Sequence, residues 1–109
     1  MPDGVSLINV MMTKMKLNDQ EISEALARLP HWSSAGGKLH REYRFPDFVH
    51  AIGFMTTAAI AIEAMNHHPE WSNVYSRVVV DLVTHDAGGI TAKDVALAAR
   101  LEELAGRFS

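Results

Sequence analysis

Apolar residues recur at helical spacing in "LNDQEISEALARLP", where Ile22, Leu26 and Leu29 share one face. Asn18 is placed to cap this helix, Glu21 three residues later completes a capping box, and Leu17 can staple onto Ile22. Pro30 closes the element. The period then changes to two. In "HWSSAGGKLHREYRF" the Gly36-Gly37 pair separates two extended pieces and predicts a hairpin. Leu39, Arg41, Tyr43 and Phe45 alternate with His40, Glu42 and Arg44, so the first set is expected to face a core, with Arg41 the exception.

From Asp47 to about His67 the helical period returns, with Phe48, Ile52, Met55, Ala59 and Ile62 in steps of four and three. Asp47 is the expected cap, and Gly53 thins the helix for close packing. Apolar residues wrap so far round this helix that a second face is expected to meet another helix or subunit. "VYSRVVVDLVT" reads as a strand, with Val74, Val78, Val80 and Leu82 on one side and Tyr75, Arg77, Val79, Asp81 and Val83 on the other. A last helix follows "AGGI", capped by Thr91 with Asp94 three residues on, and Leu97, Leu101, Leu104 and Phe108 form its apolar stripe. Helix, two strands, helix, strand or strands, helix is the order of an α+β fold with helices packed on an antiparallel sheet.

The chain has 109 residues, which suits one domain. Residues 1–16 lack clear periodicity and are read as a flexible extension, leaving 17–109 as the folded domain. There is no cysteine, which excludes disulfides, thiolate metal sites and cysteine nucleophiles. A formal net charge of -3 gives no general electrostatic reason to bind nucleic acid or an anionic membrane. No apolar run is read as long enough to span a bilayer and the start lacks a signal-peptide pattern, so a cytoplasmic location is expected.

Candidate chemistry gathers in "EAMNHHPEWSNVY". Glu63 and His67 are four residues apart and share a helical face, so the carboxylate is expected to orient His67. Pro69 pushes His68 out of the α region, so the helix is expected to end between the two histidines and let both face one pocket. His85 closes the valine-rich strand just before a glycine turn, where side chains meet ligands. Taken singly, each residue has a structural reading. His67 suits a C-terminal cap, His85 a solvated turn, Asp94 a capping box, and Trp71 and Tyr75 the core or sheet surface. Metal ligation finds no supporting HExxH or similar partner motif, so no metal is expected.

As a set, Glu63, His67-His68-Pro69, Trp71, Tyr75, His85 and Asp94 resemble in type and spacing the signature of the pterin-4a-carbinolamine dehydratase family. The helix before them, in "IGFMTTAAIAIEAMNHHPEWSNVY", is similar as well, and the likeness runs from about Trp32 to Leu104. The resemblance implies a four-stranded antiparallel sheet with three helices on one face. It implies loss of water from a 4a-hydroxytetrahydropterin to give quinonoid dihydropterin, with no metal or organic cofactor, in a homodimer or homotetramer. By the same resemblance His67, His68, His85 and Glu63 are the catalytic group, and Trp71, Thr84 and Asp94 contact substrate. Two other readings stand beside it: a protein-binding dimerisation cofactor, and a related pterin reaction such as one in molybdenum-cofactor metabolism.

Overall fold

The computed structural model describes residues 15–109. Most of the proposed N-terminal extension lies outside the described residues. Helix α1 (Asp19–Ala27) begins as its sequence requires. Asn18 Oδ1 accepts from Glu21 N at 2.8 Å and Glu21 Oε1 accepts from Asn18 N at 3.0 Å, so two free amides at the helix start are satisfied reciprocally. Strands β1 (Ser33–Ala35) and β2 (Lys38–Arg44) are joined by Gly36 and Gly37, both at positive φ, the backbone that a two-residue hairpin turn demands. Helix α2 (Phe48–Met65) is capped by Asp47 Oδ1, which accepts from His50 N at 2.8 Å. Strands β3 (Glu70–Val74) and β4 (Arg77–Leu82) follow, then helix α3 (Ala92–Ala105).

The four strands form one antiparallel sheet in the order β1-β2-β4-β3. Leu39 and Tyr43 of β2 and Val78, Val80 and Leu82 of β4 are buried on one face. Against them pack Ala51, Phe54, Ala58 and Ile62 of α2 and Leu97, Ala98, Leu101 and Leu104 of α3, with Ile22 and Leu26 of α1 at the margin. The expected α+β architecture, with its helices on one side of the sheet, is therefore what the chain adopts.

Arg41 is held on the core face by a carboxylate. Its Nε donates to Glu102 Oε1 at 2.7 Å, and the same oxygen accepts from Trp32 Nε1 and Tyr43 Oη, each at 2.9 Å. Burial pushes the Tyr43 hydroxyl far above its ordinary range, and the neighbouring Glu102 charge adds to it. Burial alone would raise the Glu102 carboxyl, but the hydrogen bonds from Arg41 and Tyr43 outweigh it and hold the group low.

Three expectations need correction. The valine-rich stretch is not one strand. Tyr75, at φ 53°, and Ser76 turn the chain between β3 and β4, and the Asn73 side chain clamps that turn by donating to Tyr75 O and Arg77 O at 3.0 and 2.9 Å. Val74 is consequently exposed rather than aligned with Val78. The core stripe of α2 is also displaced. It runs through Ala51, Phe54, Ala58 and Ile62, leaving Phe48, Val49, Ile52 and Ile60 exposed.

By length and mean hydropathy (1.5 over 18 residues), α2 does qualify as a candidate membrane span, contrary to the sequence reading. Here one of its sides is packed on the sheet. The small Gly53 serves close packing as expected, because a Cβ there would stand 2.8 Å from Cε1 of Phe108.

Candidate functional site: a histidine cleft

The end of α2 aims the two adjacent histidines. Met65 is the last helical residue and Asn66 takes a left-handed conformation, φ 50° and ψ 43°. His67 N then reaches back to Ile62 O at 3.3 Å and Asn66 N to Glu63 O at 3.1 Å, the paired bonds of a Schellman cap. The helix thus ends before both histidines, not between them. Asparagine tolerates this backbone because its short polar side chain relieves the left-handed penalty. With Pro69 keeping His68 extended, the chain passes directly into β3.

On the other side, β4 runs into Thr84, which bridges to Gly89 across a tight loop. Within it His85–Ala87 form a short 3-10 turn closed by Gly88 at φ 73°. The two chain segments enclose an open cleft of about 320 Å³ lined by His67, His68, Thr84, His85 and Lys93, with Asn66, Val83 and Asp86 completing the wall. That is near the lower bound, roughly 300 Å³, of ordinary small-molecule sites. A larger depression of about 510 Å³ lies along Arg41, Tyr43 and Glu102, but its central carboxylate oxygen is already saturated by three donors. The smaller cleft holds the reactive groups.

Behind this cleft sits Asp94, completely buried. Its Oδ2 accepts from Thr91 N and from Thr84 Oγ1, both at 2.9 Å, and its Oδ1 meets His67 Nε2 at 2.5 Å. The Thr84 proton goes to Asp94, so the 2.8 Å contact between Thr84 and Thr91 hydroxyls has Thr91 donating. Carboxylate oxygens accept, so the ring nitrogen facing Asp94 carries hydrogen. His67 is thereby fixed in orientation and tautomer, with Nδ1 left for a ligand. The capping-box role of Asp94 is real, and so is a second role as the partner of His67.

The expected Glu63–His67 pair does not form. Glu63 Oε1 instead meets His68 Nε2 at 2.9 Å, in a pair largely open to solvent. The left-handed Asn66 carries His67 off the helical face that it would have shared with Glu63. His85 is also well exposed and lies with Nε2 3.3 Å from Glu70 Oε2. Trp71 does not line the cleft. It is opposite Val80 in the sheet and packs on the core. Thr84 does line the cleft, but its hydroxyl is engaged with Asp94 and Thr91. Sequence reasoning passed over Glu70, Lys93 and Lys38. Glu70 directly follows the His-His-Pro run, yet only the strand pairing reveals that it reaches His85.

The model of a family described as pterin 4 alpha carbinolamine dehydratase matches residues 15–104. The chain belongs to that family. A relative from Solibacter usitatus, named "Putative pterin-4-alpha-carbinolamine dehydratase", is 63% identical over 90 residues, covering 83% of this chain and 95% of its own. A solved structure from Brucella melitensis, titled a transcriptional coactivator/pterin dehydratase, is similar with a TM-score of 0.81 and 40% identity, over 84% of this chain and 99% of that one. A pterin dehydratase-like protein described as a RuBisCO assembly factor in the alpha-carboxysome shares the fold at a TM-score of 0.58 and 22% identity, over 69% of this chain and 87% of its own. Among the described residues no cluster of three or more His, Cys, Asp or Glu side chains is arranged to hold a metal ion.

Proposed function

We propose that the protein removes water from a 4a-hydroxytetrahydropterin to give quinonoid dihydropterin, with His67 and His85 moving the protons. The observation that carries this reading is the convergence of His67, His68 and His85 on one cleft, with His67 braced by the buried Asp94. Forming the C4a=N5 bond requires N5 to give up its proton while the C4a hydroxyl leaves with a proton delivered to it. His67 suits the base role, since Asp94 holds its Nε2–H and leaves Nδ1 free to take the N5 proton. His85 then protonates the departing hydroxyl, and water leaves. His68, steadied by Glu63, positions the pterin. Nothing is oxidised or reduced, so the reaction as proposed draws only on these side chains.

Rapid-mixing measurement of carbinolamine dehydration tests it. His67→Ala and His85→Ala should each lower kcat by about 10²–10⁴, the usual worth of a positioned acid or base. A folded wild-type protein that does not accelerate dehydration sinks the proposal, as do two alanine variants with undiminished rates.

A second reading has its own support. Val49 and Ile60 on α2 are 74% and 72% exposed, with Phe48 and Ile52 beside them. Such an apolar helical face suits contact with another protein chain, in a homodimer or homotetramer or in a partner complex. Light scattering of the wild type and of Ile60→Glu distinguishes a self-associating chain, whose mass falls on substitution, from a monomer.

A further inference from the structure

Both oxygens of Glu70 are engaged, one by a group from β2 and one by a group from the loop after β4. Oε2 lies 3.3 Å from His85 Nε2, and Oε1 meets Lys38 Nζ at 2.5 Å. Lys38 opens β2, two strands away from β3, so its side chain crosses β4 to reach Glu70. Directly opposite Glu70 stands Asp81, which is itself bound by His40 Nδ1 at 2.8 Å. Two carboxylates facing each other across strands disfavour pairing. Lys38 and His40 each hold one of these two carboxylates, and Glu70 is the one in reach of His85.

Resting on the dehydratase reading above, we propose that Glu70 is a positioning residue for His85, and that Lys38 limits how strongly it acts. Glu70 orients the imidazole and sets a negative charge beside it. Lys38 draws the same carboxylate the other way. In agreement, the hydrogen bond from Lys38 holds the Glu70 carboxyl below its ordinary range, and the hydrogen bond to Glu70 raises the Lys38 ammonium. The remaining charged or titratable groups around His85 are Asp86 beside it and His67, His68 and Lys93 in the cleft wall. These groups are unchanged in both variants below.

The two partners predict opposite signs. In Glu70→Gln the limb of the kcat/KM–pH profile that reports His85 moves to lower pH, and in Lys38→Met it moves to higher pH. Each displacement is about half a pH unit, because the pair is solvent-exposed, and the loss in kcat/KM at neutral pH stays below about fivefold. Both displacements shrink in about 1 M salt, where screening acts over roughly 3 Å. A purely structural role moves both profiles alike or scales them without displacement, and either result overturns the proposal. The ring-proton NMR signals of His85, followed through pH in the same three proteins, give a second readout without turnover. An inactive wild type with oppositely displaced NMR curves rejects the dehydratase reading and leaves the Lys38–Glu70–His85 coupling standing. An active wild type with superimposed curves rejects the coupling alone.

Discussion

Asp94→Asn separates the two duties of one side chain. In the variant the amide oxygen can occupy the place of Oδ2, where Thr91 N and the Thr84 hydroxyl meet it at 2.9 Å each. The amide NH2 then falls at the place of Oδ1, facing His67 Nε2. If the ring keeps its proton there, two donors oppose each other in a buried site, at about 1–3 kcal/mol. If the ring moves its proton to Nδ1, it accepts from the amide, but Nδ1 can no longer take a proton from substrate. Loss of charge also weakens the two retained bonds by roughly 1 kcal/mol each. Together the cost is about 2 kcal/mol when the ring shifts its proton and about 3–5 kcal/mol when it does not, a Tm lower by roughly 10 °C or more. Activity should fall further than stability, by about 10²–10⁴ in kcat/KM at a temperature where the variant remains folded. Urea denaturation and carbinolamine dehydration measured on the same preparation decide the matter. A folded Asp94→Asn protein within about threefold of wild-type kcat/KM refutes the coupling to His67 and leaves Asp94 as a helix cap only.

Other expectations follow from single contacts. Asn66→Gly should keep stability and activity, whereas Asn66→Val, forced into the left-handed region, should cost about 1–2 kcal/mol and lower kcat, read by thermal melts and turnover. Glu102→Gln should destabilise by about 2–3 kcal/mol at neutral pH, since three donors lose a charged acceptor. The folded-state carboxyl of Glu102 is depressed below 4.5, so this stabilisation is fully present above that pH and is lost as pH falls through the folded value. Urea titrations of both proteins should therefore converge in acid, and a gap that stays constant to the lowest pH contradicts the assignment. Gly53→Ala gains helix propensity worth about 1 kcal/mol but displaces Phe108, and the gain should emerge in the melting curve only when combined with Phe108→Ala.

Local signals were readable in the chain, and long-range ones were not. The capping boxes at Asn18 and Thr91 and the Gly36-Gly37 hairpin depend on neighbours within a few residues, and they form as the sequence dictates. The buried stripe of α2 was misplaced because the helix is apolar almost all round, so periodicity alone could not choose a side. The turn at Tyr75 was hidden by the absence of glycine, since its geometry is held by the Asn73 side chain. The histidines of the cleft were legible as a set. Their partners were exchanged, however, because one left-handed residue rotates His67 away from Glu63 and toward a carboxylate 27 positions further on. No local pattern carries that pairing, nor the one between Glu70 and His85.

The sharing of Asp94 between a helix start and an imidazole has an evolutionary corollary. A descendant kept only as a scaffold still needs the carboxylate to begin α3 and to satisfy the half-buried Thr84 hydroxyl and the buried Thr91 amide. Drift at that position is restrained whether or not any pterin is turned over. His85 is different, being exposed and supporting no buried network. When members of this fold are sorted into working enzymes and retired ones, the aspartate is a poor witness, and the solvent-facing histidine is the one to question.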